Sequence, residues 1–201
     1  MNPWYAKSAV LAIFLGIVAI RAPHGSRSGK IRVVDDRRGP LETALLAGAW
    51  LVTILPLVWL AAHFLSFADY PLRPIPYALG LLFLASGLWL FYRSHADLGT
   101  NWSITLQVRE NHRLVTSGVY ARVRHPMYSA LFLLAAAQAL VLPNWIAGPA
   151  YLAGFGLLYV LRVNAEERMM RDRFGAEYEA YMRRSGRLMP KCGAEAAAVS
   201  R

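Results

Sequence analysis

Charged residues in this sequence come in clusters separated by long apolar stretches. Residues 43–67 run for 25 positions without Asp, Glu, Lys or Arg, residues 74–92 for 19, and residues 127–161 for 35. A helix crossing the hydrocarbon needs about 20 mostly apolar residues, so the first two runs each predict one span. The third is too long for a single helix. Pro143-Asn144 and Gly148-Pro149 interrupt it, which predicts a hairpin of two short helices. Its first arm, 127–142, reaches only about 24 Å at 1.5 Å per residue. Residues 4–20 add a further segment, interrupted only by Lys7, whose side chain can snorkel to the headgroups. Arg21-Ala22-Pro23 follows it in place of a small-x-small cleavage site, favouring a retained anchor over a signal peptide. The pattern predicts an all-α integral membrane protein with about five transmembrane helices.

Charge then orients the spans. Of the 22 Lys and Arg residues, six lie in 21–40, five in 93–124 and nine in 162–201, whereas 68–76 and 143–149 hold one and none. Five helices put the three basic stretches on one side and the two poor ones on the other. The positive-inside rule makes the basic side cytoplasmic. Composition agrees: 56% of the residues are hydrophobic and 17% charged, with a mean hydropathy of +0.32, against about 25% charged in soluble domains. Disorder and a water-soluble enzyme core are excluded. The net charge of +10 would suggest nucleic acid on a soluble protein. On this chain it reads as basic loops facing anionic lipid, with no nucleic-acid partner. The single cysteine, Cys192, excludes an intramolecular disulfide or a multi-cysteine metal site. The five histidines lack metal-binding spacings, so no metal is expected. Segment 21–40 reads as a flexible basic loop serving topology, without P-loop spacing. Residues 192–201 read as a frayed tail.

The polar segment 93–126 carries the first chemical constellation. Residues 102–108 alternate like a short strand or extended arm, and Thr116-Ser117-Gly118 is a turn. Arg124-His125-Pro126-Met127-Tyr128 opens a membrane helix, with Pro126 suited to its first turn. His125 and Tyr128, three residues apart, share a face at the membrane surface. There they are either an interfacial belt or the lining of a site whose helix N-terminus favours a carboxylate. The second constellation follows the hairpin. Arg162 and Glu166 share a helix face at i, i+4 and could pair, with Glu167 beside them. A surface salt bridge is the plain reading, but ionisable groups where a helix leaves the bilayer are costly and more often functional. Beyond them 168–182 continues as an amphipathic stretch with Phe174, Tyr178 and Tyr181 packing on the membrane surface or core.

His112-Arg-Leu-Val-Thr-Ser-Gly-Val-Tyr120, Arg124-His-Pro-Met-Tyr128, Arg162-x-x-x-Glu166-Glu167 and Phe174-Gly-Ala-Glu-Tyr-Glu-Ala-Tyr181, in this order around a hydrophobic hairpin, resemble the isoprenylcysteine carboxyl methyltransferase family. The resemblance covers about residues 95–190. It implies a membrane methyltransferase that uses S-adenosylmethionine in a cytoplasmic pocket closed by the C-terminal helix. A lipophilic or prenylated acceptor would enter from the bilayer. It also implies three regions: N-terminal transmembrane helices with a basic loop (1–92), a catalytic region (93–190) and a flexible tail (191–201). By the same resemblance the cofactor contacts fall on Gln107, His112, Arg113, Leu114, Val115, Tyr120, His125, Pro126, Tyr128 and Glu166. Arg162 matches the arginine associated with the acceptor carboxylate, and Arg162, Glu166 and Glu167 form the catalytic set. Two positions depart from the family pattern, Ala130 for a frequent glycine and Asn144-Trp145 for Asn-Pro. The membrane would be the inner or plasma membrane of a prokaryote or the endoplasmic reticulum of a eukaryote. Other readings stay open: methylation of a phospholipid amine or small thiol, an NADPH-dependent sterol-type reductase with a similar His-Pro-x-Tyr segment, and a non-catalytic membrane scaffold.

Overall fold

A computed structural model describes residues 1–28, 33–36, 39–101, 107–109 and 113–191. The expected tail at 192–201, most of the expected extended arm at 102–108, and His112 lie outside the described residues. The chain forms helices α1 (Pro3–Ser28), α2 (Pro40–Ala61), α3 (Pro74–Leu98), α4 (Pro126–Val141), α5 (Ala147–Phe174) and α6 (Ala176–Arg184). Two short strands, β1 (Val33–Asp36) and β2 (Gln107–Arg109), pair antiparallel. It is an integral membrane protein. Among the described residues α1, α2 and α3 are long and apolar enough to cross a bilayer. The 16-residue α4 and the first half of α5 make the expected hairpin.

Prolines start α2, α3 and α4, where a missing N–H costs no intrahelical bond and φ is already helical. The centre of the bundle is α3 against α4, and two glycines set how close they come. A Cβ on Gly87 would lie 2.9 Å from Leu134 Cδ2, and one on Gly80 would meet the Val141 side chain. Small residues let membrane helices approach where no hydrophobic effect drives them together. Phe91, Leu134, Ala135 and Val141 are fully buried at this contact. Ala130 is fully buried as well, so the methyl in place of the family's glycine is accommodated. The α2 helix leans mainly on α5 and leaves Leu41, Leu51 and Ile54 exposed, as suits a lipid-facing surface.

The two charge-poor segments meet at one end of the bundle, as the alternation of basic and poor loops requires. Asn144 is fully buried there. Its amide donates to Leu65 O and Asp69 Oδ1, both at 2.7 Å, and its Oδ1 accepts the N–H groups of Ile146 and Ala147. Asn144 thus fastens the hairpin turn together with the Tyr70 N–H to Pro143 O and Trp145 N–H to Ala68 O bonds, and Trp145 is 71% exposed with its ring 4.7 Å from that of Tyr70. The basic segments gather at the other end.

One expectation about a loop is corrected. Segment 21–40 is not a continuous loop: α1 runs on through Pro23 to Ser28, and 33–36 pairs with 107–109. The last turns of α1 are held inward, with the His24 ring 5.2 Å from the buried His95. The amphipathic stretch 168–182 is divided between two helices. Gly175 adopts φ 51°, a left-handed value that favours glycine, and separates α5 from α6.

Candidate functional site

The site is assembled where α4 begins, α5 ends and α6 folds back. Gly118 starts the short 3-10 turn Gly118–Ala121 at φ 59°, and a Cβ there would collide with the Asp97 carboxylate. That carboxylate accepts the Val119 N–H at 2.9 Å and pairs with Arg93 at 3.1 Å. The expected Thr-Ser-Gly turn is therefore fixed to the end of α3. It buries Tyr120, whose hydroxyl donates to Ser94 O at 3.3 Å and whose carbonyl accepts the Tyr181 hydroxyl at 2.6 Å. Upstream, the Arg113 N–H donates to Asn101 Oδ1 at 3.1 Å.

Pro126 opens α4 and is buried, with His125 preceding it. The segment after α6 lies along 122–125. Gly186 N–H donates to Arg122 O, Arg124 N–H to Gly186 O and His125 N–H to Arg187 O, all at 2.8–2.9 Å, and the Ser129 hydroxyl donates to Leu188 O at 2.6 Å. Residues 185–188 thus form a strap across the mouth of α4.

Glu166 and Glu167 follow each other on α5, and successive residues on a helix point about 100° apart. Their environments differ accordingly. Glu166 faces a cavity. It accepts the Tyr128 hydroxyl at 2.8 Å, and His125 Nδ1 stands 3.7 Å away. Glu167 is fully buried under the strap. Arg124 Nε at 3.1 Å, Arg187 Nη2 at 2.6 Å and His125 Nε2 at 3.3 Å surround it. Burial alone would raise both carboxyl pKa values, but hydrogen bonds and charge from His125, with Arg162 near Glu166 and Arg187 and Arg124 near Glu167, hold both down at about 2. His125 is desolvated, which lowers its pKa, yet the two glutamates win and raise it. The cluster is a row of alternating charges: Glu166, His125, Glu167 and the two arginines.

The cavity is about 250 Å³. Of the residues expected to hold a cofactor, Arg113, Leu114, Val115, Tyr120, His125, Tyr128 and Glu166 line it, as does Arg162. Pro126 and Glu167 lie behind the wall. Gln107 falls in β2, and its side chain, like all of His112, is outside the described residues. Tyr178 and Tyr181 of α6 complete the polar end, so two of the three residues of the aromatic stripe reach the site. An apolar branch of the cavity is walled by Ile17 of α1 and Trp50 of α2, with Leu131 of α4 and Leu158 of α5.

The sequence allowed Arg162 a partner at Glu166. In the structure its ion pair runs to Glu42 of α2, at 3.4 Å between two buried groups. The α2 residue was missed because Glu42 stands just before the 25-residue apolar run and reads as its boundary. Arg124 and Arg187 were missed as partners of Glu167 for a similar reason: both count toward the basic stretches. The one available signal was that a buried carboxylate at a membrane exit needs cations from elsewhere in the chain.

Residues 76–172 match the model of the isoprenylcysteine carboxyl methyltransferase (ICMT) family. The chain is 31% identical over 109 residues to the protein-S-isoprenylcysteine O-methyltransferase of Schizosaccharomyces pombe, covering 53% of this chain and 45% of that protein. It is 34% identical over 107 residues to the Homo sapiens enzyme of the same name, covering 52% of this chain and 38% of that one. The match therefore spans less than half the length of these relatives. Among solved structures it is similar to the eukaryotic intramembrane Ras methyltransferase ICMT, with a TM-score of 0.53 and 26% identity over 88% of this chain and 60% of that one.

Proposed function

We propose, from the match of residues 76–172 to the isoprenylcysteine carboxyl methyltransferase family model, that this membrane protein transfers a methyl group from S-adenosylmethionine to the carboxylate of a prenylcysteine-like or isoprenoid acceptor. The observation that carries this reading is a cavity with two characters. One end presents a fixed carboxylate, Glu166, between Tyr128 and His125; the other is an apolar branch walled by membrane helices.

The residues fit the donor. A zwitterion with an ammonium, a carboxylate and ribose hydroxyls meets Glu166 on one side and the guanidinium of Arg113 on another. Leu114 and Val115 offer apolar wall for an adenine ring. When bound, S-adenosylmethionine supplies an electrophilic methyl on a sulfonium. Glu166 stays ionised to receive a cationic or hydroxyl group, and Tyr128 and His125 fix its orientation. His125 works as a positioning residue, because both of its ring nitrogens face glutamates. Glu167 acts through His125 and the strap and does not reach the acceptor. Arg162, held by Glu42, presents a planar fork to the acceptor anion. No general base is required, since a carboxylate is already ionised near pH 7. The protein's contribution is alignment and exclusion of water, helped by the strap and α6. The gathering of the basic segments at this end supports a cytoplasmic site.

The test is methyl-labelled S-adenosylmethionine with the purified protein and N-acetyl-S-farnesylcysteine. Carboxyl methyl esters release volatile methanol in mild base, whereas N- and S-methyl products do not. Base-labile label in the farnesyl product is the expected result. An unlabelled farnesyl product, with base-stable label on an added phospholipid amine or small thiol, would move the reaction to an amine or thiol. Binding of NADPH without binding of S-adenosylmethionine would remove the methyltransferase reading.

A further inference from the structure

The wall that α1 gives to the cavity is Phe14, Ile17, Val18 and Arg21. The spacing i, i+3, i+4, i+7 is one helical face. Three apolar residues are followed, one turn nearer the site, by a guanidinium. Arg21 is the first charge after an apolar run, and a residue serving only topology would extend toward the headgroups. Its guanidinium turns inward instead. It lies 5.8 Å from the ring centre of Phe91, a fully buried α3 residue, and lines the cavity that Arg162 lines from α5. Tyr151 of α5 lines the same cavity. On α2, Leu46, Ala49, Trp50 and Thr53 repeat the spacing and give the apolar branch a second wall.

We propose that Arg21 is a second acceptor-binding residue: with Arg162 it grips the anionic head of the methyl acceptor, whose apolar tail lies along the facing walls of α1 and α2. This rests on the methyltransferase reading of the same cavity. Arg162 keeps its pairing with Glu42, and an acceptor anion placed between the two guanidiniums is attracted by both. From Phe14 to Arg21 the α1 wall is about 10 Å long, which sets the length of tail covered next to the head. The chemistry gives the pair a further consequence. Methylation turns an anion into a neutral ester, so the product loses its hold on both guanidiniums as it forms, and release follows from the reaction. Arg21 thereby selects the acid over its ester.

The experiment uses the full chain in nanodiscs, N-acetyl-S-farnesylcysteine and its methyl ester as probes, and the variants Arg21→Met and Arg21→Lys. Loss of a charged hydrogen bond predicts that Arg21→Met raises the acceptor KM about tenfold or more, with the affinity for S-adenosylmethionine unchanged. Arg21→Lys, which keeps the charge and loses the fork, gives a smaller rise. In equilibrium competition the wild type prefers the acid to the ester, and Arg21→Met narrows that preference by the same factor. If KM and the preference are unchanged in both variants, Arg21 does not contact the acceptor. If Arg21→Lys loses affinity for S-adenosylmethionine too, Arg21 is scaffold and the proposal is equally overturned. A wild type that methylates neither probe would sink the broader reading instead, while the acid-over-ester comparison, an equilibrium measurement, would still report on Arg21.

Discussion

At the loop end of the bundle, one buried asparagine ties the hairpin turn to the 65–69 segment through backbone groups and a single carboxylate, that of Asp69. At the cavity end, Glu167 ties α4, α5 and the strap together with three cations. Asn144 has all of its capacity used locally, by Leu65, Asp69, Ile146 and Ala147. Glu167 is equally buried, but its neighbour His125 hands the interaction on to Glu166, which opens on the cavity. The same device, a buried polar residue crosslinking loops, therefore ends in a saturated fastener at one end. At the other it ends in a group still able to receive a ligand. A charged network is costly to bury, and its retention beside a cavity is what separates a site from a clasp.

The largest expected effect comes from breaking each fastener. Glu167→Gln should destabilise the fold by about 3–5 kcal/mol, because it leaves buried cations uncompensated. Asn144→Ala should cost about 3 kcal/mol through unsatisfied amide and carbonyl groups. Ligand binding separates the two. Affinity for S-adenosylmethionine, measured by calorimetry at a temperature where both variants are folded, should fall with Glu167→Gln and stay unchanged with Asn144→Ala. Equal affinities would make the cavity end a second clasp.

Next in size is Glu166→Gln, which keeps the shape and removes the charge. Loss of a charged hydrogen bond is worth about 1.5–3 kcal/mol, so S-adenosylmethionine binding should weaken on the order of 10- to 100-fold. The melting temperature should change far less than for Glu167→Gln.

Acid and base should also distinguish the ends. Glu166 and Glu167 have pKa values lowered to about 2. Their contribution is complete above the ordinary 4.5 and is lost as pH falls toward 2. The His125 pKa is raised by the two glutamates against its burial. Its contribution is complete below the ordinary 6.5 and is lost as pH rises through the folded value. Asn144 has nothing to titrate. Thermal stability should therefore decline on the alkaline side in the wild type, and His125→Gln should flatten that limb. An alkaline limb that persists unchanged in the variant would assign the decline to other groups.

The parts of this comparison that were legible in the sequence are those written in single segments. The hairpin break at Pro143-Asn144, Pro126 at the start of α4, and the Thr-Ser-Gly turn all follow from local rules about proline, glycine and apolar length. The polar part of the cavity lining from Arg113 to Tyr128 was singled out because these residues lie close together and carry a family resemblance, whereas the walls from α1 and α2 were not. What could not be read were partners from distant segments. Glu42 and Arg162 are 120 positions apart, Arg124 and Glu167 are 43, and no periodicity links them. Arg21 and Arg187 were legible as charges but not as cavity or strap residues, since a basic residue near a span satisfies the positive-inside rule wherever its side chain points. The break at Gly175 was missed because apolar and aromatic spacing continues across it.

The smallest expected effect is the sharpest contrast with Glu167. Asp69 at the loop end also accepts two hydrogen bonds on one oxygen, from Trp59 Nε1 and Asn144 Nδ2, both at 2.7 Å. Here, however, both donors are neutral. Asp69→Asn keeps an acceptor oxygen of the same shape in the same place, so both bonds can persist with the charge assistance removed. Charge-assisted hydrogen bonds are roughly twice as strong as neutral ones. The change should therefore cost under about 1 kcal/mol in stability and leave S-adenosylmethionine binding and methyl transfer untouched. The equivalent isosteric change at Glu167 fails for a definite reason: an amide N–H₂ would be turned toward a guanidinium, donor against donor. The decisive measurement is the ratio of the two losses in melting temperature. If Asp69→Asn and Glu167→Gln destabilise equally, charge is not what distinguishes the two ends. The Glu167 cluster would then be, like Asn144, a clasp that happens to lie beside a cavity.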